Sequence, residues 1–254
     1  MPTERLYNTN AIILRRRDFG EADRLLTVFT PQHGKLRLLA KGARKTKSRK
    51  AGHIELFTYA ALQVARGRNL DILTQADTIE AYRSLRQDLD KISRAYYVVE
   101  LVDRFTEEED PAQPLFQLLA DTLSRLNAAE TRQQYLVLRF FELHLLGLSG
   151  FQPQLHFCVS CNRPIKEEAN AFSVNDGGLL CPACSQTHPQ TKSLSIGALK
   201  ILRFLQTRPW EQVANLQLSP AAQQEVETLL LAYITFTLER NLKSAAFLNR
   251  LRQR

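Results

Sequence analysis

The chain has 254 residues, 24% of them charged and 44% hydrophobic, with ten glycines and ten prolines. That length suffices for one or two domains and a sizeable core without disulfide staples. The composition excludes wholesale disorder and a collagen-like or Gly/Pro-rich linker protein. No run approaches the ~18 apolar residues of a membrane span. The opening Met1-Pro2-Thr3-Glu4 lacks the basic and apolar regions of a secretory signal, so a cytosolic protein is expected. The net charge is +8, and it is unevenly placed. Residues 1–82 carry 15 Lys/Arg against 8 Asp/Glu, a net +7, while the rest of the chain nets +1. A polyanion-binding face in the first third is the expectation.

In chain order, residues 1–80 predict a β domain. Ala11–Leu14 is a β-branched run passing into Arg15, Arg16 and Arg17, with a turn at Asp18–Asp23 around Gly20. Leu25–Thr30 is a second strand, and Pro31–Gly34 a short connection. Lys35–Lys41 alternates, with Leu36, Leu38 and Ala40 on one face and Lys35, Arg37 and Lys41 on the other. A basic loop from Gly42 to Gly52 follows, bracketed by glycines that would let it move. Phe57–Arg66 and Leu70–Thr74 complete five short strands, which suit a small antiparallel barrel of the OB-fold kind, with an SH3-like barrel close behind.

The period then changes. Leu85, Leu89, Ile92, Tyr96 and Val99 predict one amphipathic helix running to about Phe105, ended by Glu107–Pro111. Helices are expected over Leu115–Leu126, Tyr135–Leu148, Ser195–Gln206 and Ser219–Leu238, the last with Ser219 as N-cap before Pro220. The predicted architecture is α+β and multi-domain: a five-stranded OB-fold barrel over 1–80, then a mostly helical domain over 81–254 with a cysteine module inserted at 155–188.

Cys158-x2-Cys161 and Cys181-x2-Cys184 make up that module. Two C-x2-C knuckles at this spacing read as one structural Zn2+ site, because each knuckle offers two thiolates and two knuckles complete a tetrahedron. Four thiolates leave no open position for a substrate water, which argues against metal catalysis. His156 and His188 flank the cluster as lesser ligand candidates. Asn162 and Gly177 supply turns beside it.

Lys35 to Lys50 holds Lys35, Arg37, Lys41, Arg44, Lys45, Lys47, Arg49 and Lys50 with no acid, a run able to track a phosphate backbone. Strand alternation sends Arg16 away from Arg15 and Arg17. Phe19, Phe29, Phe57 and Tyr59 are more often core than base-stacking rings in a small barrel. His53-Ile54-Glu55 with a distant C-x2-C fails as a deaminase signature, since Leu180 rather than proline precedes Cys181. No phosphate-cradling G-x4-G-K-[ST] loop and no G-x-S-x-G elbow is present.

The strings Ala11–Leu25, Thr30–Leu36 and Ala40–Arg44, with Leu242–Leu248 late in the chain, resemble the bacterial recombination mediator family RecO. The resemblance implies an OB-fold that binds single- and double-stranded DNA and anneals complementary strands. It also implies work with RecR, contact with the single-stranded DNA-binding protein SSB, and help in loading RecA, in the nucleoid and without enzymatic turnover. No membrane and no small-molecule substrate is expected. The family-like basic positions are Arg15, Arg16, Arg24, Lys35, Arg37, Lys41 and Arg44; Lys45 and Lys47 join them as candidate DNA contacts. Arg203, Arg240, Lys243 and Arg250 are candidates to extend the DNA path. The rival reading is an RNA-binding or transcription-associated barrel with a zinc ribbon, lacking annealing activity.

Overall fold

The computed structural model of the protein describes residues 5–188 and 190–238. Arg240, Lys243, Arg250 and the 242–248 string lie outside the described residues. Five strands, β1 (Leu6–Phe19), β2 (Asp23–Thr30), β3 (Gly34–Ala40), β4 (Tyr59–Ala65) and β5 (Asp71–Glu80), close a barrel in the order β1-β2-β3-β5-β4. The long β1 bends to pair with both β2 and β4, and its register shifts by a bulge between Ile13 and Arg15. This is the expected OB-fold. It differs from a purely antiparallel barrel at one seam. The β4–β5 hairpin brings β5 back beside β3, and these two pair in parallel at Leu38–Asp71 and Leu39–Ile72.

The barrel interior follows the alternation of its strands. Leu26 and Val28 of β2, Leu36, Leu38 and Ala40 of β3, and Leu62 and Val64 of β4 all point inward. Ala43 and Ile54, from the basic loop and its closing turn of 3-10 helix (Ala51–Ile54), join this core. The outer face of the barrel is also apolar in part. Phe29 meets Phe116 at 6.1 Å between ring centroids, and Phe57 meets Tyr96 edge-on at 5.1 Å. Both barrel rings are fully buried, so they are packing residues rather than stacking platforms. Phe57 holds a left-handed backbone, φ 68°, between two backbone hydrogen bonds that tie 57–58 to Ile13.

The covering rings come from α2 (Leu89–Phe105) and α3 (Gln113–Ala128), which follow the short α1 (Arg83–Gln87). The chain divides into two compact units, and these helices group with the barrel in the first, which runs to Ala128. The single helix expected over Leu85–Phe105 is two. Asp88 adopts extended backbone, and its carboxylate accepts from the amides of Asp90 and Lys91 at 2.8 and 3.0 Å, an N-cap that starts a new helix. The break resets the phase. Leu89 and Tyr96, expected inside, are exposed; Leu85 and Val99 are buried as expected, and Ala95, Val98 and Val102 join Val99 in the buried stripe of α2.

In the second unit, α4 (Thr131–Leu148), α6 (Ile196–Thr207) and α8 (Pro220–Thr237) pack against one another. Ser195 and Ser219 cap α6 and α8 as the sequence predicts, each hydroxyl accepting an amide three residues on. Arg139 and Glu142 of α4 form a buried ion pair at 2.8 Å. The cysteine module lies between α4 and α6. It consists of β6 (Asn170–Ser173), β7 (Gly178–Leu180), a single turn α5 (Pro182–Ser185) and β8 (Thr191–Leu194), with the sheet ordered β7-β6-β8. A short α7 (Trp210–Val213) links α6 to α8. No helix among the described residues is long and apolar enough to cross a membrane.

Candidate nucleic-acid interface and metal centre

The four cysteines converge. Their sulfurs all lie within 4.8 Å of one another, and Cys161 and Cys181 stand 3.8 Å apart. Tetrahedral thiolates about 2.3 Å from a zinc ion would be separated by about 3.8 Å, so the donor set fits a tetrahedral metal ion. The first knuckle is a turn in which the Cys158 amide donates to Arg163 O and the Asn162 amide donates to Cys158 O, both at 2.8 Å. Asn162 takes the left-handed backbone this turn requires, φ 56°. In the second, Cys181 caps α5 and Pro182 follows at its first position. Gly177 and Gly178 are dictated by crowding: a Cβ on Gly177 would meet the Tyr233 hydroxyl at 2.6 Å, and one on Gly178 would meet Val159 at 2.5 Å.

The electrostatics call for a cation. Burial pushes the Cys158 thiol up, but backbone N–H groups of Cys161, Cys181 and Ser160 outweigh it and bring the group down to about 6. At Cys184 the Ser160 hydroxyl favours the thiolate, yet the neighbouring Cys181 and Cys161 sulfurs oppose it and push that thiol up to about 12. Four sulfurs this close cannot all ionise unless a metal shares their charge. Among the described residues only the four thiols make up the cluster. His188 Nδ1 instead lies 2.8 Å from Cys184 O.

Arg203, a candidate for the DNA path, has another task. Its Nε donates to Leu155 O at 2.9 Å and its Nη2 to Ile165 O at 3.2 Å, clamping the start of the module onto α6.

The basic residues of the barrel fall into two groups. Arg15, Arg16, Arg24, Lys35, Arg37 and Arg44 are paired. Arg15 binds the Asp103 carboxylate and Arg16 binds Glu55. Arg24 reaches Asp18 at 3.5 Å and Glu55 at 3.8 Å, and Arg44 reaches Asp18 at 3.3 Å. Arg37 meets Glu108 at 2.5 Å. Lys35 is the most committed, with a side chain only 11% exposed and its ammonium 3.3 Å from the Asp103 carboxylate. It donates to the carbonyls of Asp103 and Thr106 at 2.7 Å each. These lie at the C-terminal end of α2, where a cation satisfies orphan carbonyls and opposes the helix dipole.

Lys41, Lys45, Lys47 and Arg49 in the loop, with Arg17 at the end of β1, are exposed and have no ion pair among the described residues. The loop that carries most of them is tethered. Ala43 is buried in the barrel core, the Gly42 amide donates to Asp23 Oδ1 at 2.7 Å, and the Arg44 amide donates to Ala22 O at 2.9 Å. Lys50 donates to Leu73 O at 3.0 Å, its ammonium pKa lowered by burial. The bonds of Gly42 and Arg44 lay the start of the loop against the β1–β2 turn, where Arg44 also donates to Gly20 O at 3.2 Å and the Phe19 ring next to Gly20 in the chain is exposed, while Lys50 ties its far end to β5. Of the four aromatics weighed from sequence, Phe19 alone stands well clear of the protein.

Sequence reasoning missed the acids that pair with these cations. Asp18 comes from the end of β1, Glu55 from the bend before β4, and Asp103 and Glu108 from the end of α2 and the segment beyond it. The Glu107–Asp110 run was legible only as a helix stop. His53 and Glu55, weighed for deaminase chemistry, are otherwise engaged, His53 with Thr78 at 2.9 Å and Glu55 with two arginines.

A closed OB-fold barrel followed by a helical unit with a four-thiol module defines the class. Comparison with known proteins then narrows it to a family. Residues 3–82 match the family model for the N-terminal part of recombination protein O, and residues 86–246 match that for its C-terminal part. The chain is 48% identical over 250 residues to a DNA repair protein RecO from Roseiflexus sp. (strain RS-1), covering 98% of this chain and 87% of that protein. It is 37% identical over 245 residues to a DNA repair protein RecO from Dehalococcoides mccartyi, covering 96% of each. It belongs to the RecO family of DNA repair proteins.

Proposed function

We propose that this chain is a non-catalytic mediator of recombinational repair in the bacterial nucleoid that binds single- and double-stranded DNA and anneals complementary strands. One observation supports the DNA contact above the rest. Lys41, Lys45, Lys47, Arg49 and Arg17 are exposed and without an ion pair among the described residues, while most other barrel cations are paired, and the loop that carries four of them is tied at Gly42 and Arg44 to the β1–β2 turn. Unpaired cations can exchange water and counterions for phosphates without first losing a protein partner. Phe19, exposed at the start of that turn, offers a stacking surface for a base. Lys41, Lys45 and Lys47 are therefore the primary contacts, with Arg44 beside them; Arg15, Arg16, Arg24 and Arg37 shape the surface, and Lys35 holds α2 to the barrel.

Annealing needs no covalent step. Holding two backbones near one another raises their effective concentration for pairing. Zinc is the ion proposed for Cys158, Cys161, Cys181 and Cys184; it would neutralise the clustered thiolates and hold the module folded. Action with RecR, contact with SSB and loading of RecA belong to the same reading and rest on the family resemblance.

The test is annealing of complementary oligonucleotides by the purified full chain, without ATP, across a salt series. Acceleration that fades with salt and returns intact strands is expected. Tight binding without acceleration overturns the annealing role.

A further inference from the structure

A row of positive charge on the barrel is already occupied by the chain itself. Arg15, Thr27 and Arg37 stand opposite one another across β1, β2 and β3, forming one line across the sheet. This line and Arg17 border a groove of about 470 Å³, and two acids border it as well, Asp103 and Glu108. Asp103 binds Arg15 and Glu108 binds Arg37. One end of the row is thus neutralised by a carboxylate of α2 and the other by a carboxylate from the segment that follows it.

That segment is positioned by its backbone. Glu108 bridges to Lys35 of β3 in a parallel sense, and the Glu109 amide donates to Lys35 O at 3.0 Å. The approach is close: a Cβ on Gly34 would stand 2.1 Å from Asp110 O, so the glycine admits the segment. Residues 107–110 read Glu-Glu-Glu-Asp, all exposed, lying along the edge of a basic sheet.

The two acids are not equivalent. Asp103 has a side chain 12% exposed and is shared between Arg15 and Lys35, as a fixed part of the structure. Glu108 is 49% exposed and meets one partner, Arg37, itself 56% exposed. An exposed pair of this kind is weak and screened by salt. A polyanion can replace its carboxylate with a phosphate oxygen on the same guanidinium.

We infer that Glu108 is an intramolecular phosphate mimic, a latch that occupies Arg37 in the free protein and is exchanged for a nucleic-acid phosphate on binding. The backbone bridge at Lys35 stays closed, so only the side chain moves. The latch weakens binding of ligands with few phosphates, and a long backbone, anchored first on the unpaired loop cations, overcomes it. This inference rests on the nucleic-acid reading of the barrel proposed above.

The experiment measures binding of a fluorescent oligothymidylate to the full chain by anisotropy at low and moderate salt. The variants are Glu108→Gln, the charge-matched Glu107→Gln, Arg37→Gln, and Arg37→Gln combined with Glu108→Gln. A Lys41/Lys45/Lys47→Glu variant monitors the underlying reading. Glu108→Gln is expected to bind about two- to fivefold tighter at low salt, the range an exposed pair supports. The gain should exceed that of Glu107→Gln and vanish when Arg37 is already glutamine. Equal gains from both glutamates, or a gain that persists without Arg37, overturn the latch. If the lysine variant loses binding while Glu108→Gln gains nothing, the latch alone fails. If the lysine variant binds like the parent, the assignment of the contact to the loop cations fails, and the latch, which depends on anchoring there, fails with it.

Discussion

The thiol module and the barrel surface both gather like groups, and they resolve the resulting conflict in opposite ways. The module brings four sulfurs within 4.8 Å of one another and lines them with amide donors, so the cluster is left in need of an external cation. The barrel brings its arginines together and answers most of them internally, with Asp18, Glu55, Asp103 and Glu108. Among the described residues no cation pairs with the four sulfurs, so the cluster could hold a metal ion. On the proposed reading, a surface that waits for a nucleic-acid backbone leaves only part of its charge free. The difference teaches that a residue's type marks a candidate, and its existing partners decide what it does.

The largest expected effect lies in the module. Cys158→Ser should release the metal and destabilise the protein by more than about 4 kcal/mol, since loss of a metal is among the few single changes that reach such values. Metal content and thermal unfolding followed together check this; unchanged unfolding in a metal-free variant would mean that the thiols hold their places unaided. Next comes Lys35→Met, which leaves the carbonyls of Asp103 and Thr106 without their donor. A cost of about 1–3 kcal/mol in urea unfolding is expected, and a neutral result would place Lys35 with the free cations. The smallest effect belongs to the loop: Lys41, Lys45 and Lys47, replaced singly by alanine, should each shift stability by less than about 0.5 kcal/mol. A larger loss would show that these side chains support the fold.

Much of this was legible in the sequence where the cause is local. The two C-x2-C knuckles, the caps at Ser195 and Ser219 and the inward face of Leu36, Leu38 and Ala40 depend on neighbours a few residues away, and the structure agrees with each. The helix break at Asp88 was also a local signal, a capping aspartate, but the apolar spacing from Leu85 to Val99 ran across it and masked it. The sorting of the cations was not legible, because their partners are distant in sequence: Arg16 and Glu55 are 39 residues apart, and Lys35 and the carbonyl of Thr106 are 71 apart. The basic loop looked mobile from its glycines, whereas Ala43 anchors it in the barrel core. One alanine of two in an otherwise polar and glycine-bracketed loop carries little sequence signal.

The most direct test of the central claim is the salt dependence of single-stranded DNA binding for the full chain beside its Lys41/Lys45/Lys47→Glu variant. If the unpaired loop cations carry the contact, the variant binds more weakly at every salt concentration, and its log–log slope is shallower by about 2, three phosphate contacts at roughly 0.7 each. A variant with the parent's affinity and slope would contradict the account and return the contact to the paired arginines of the strands.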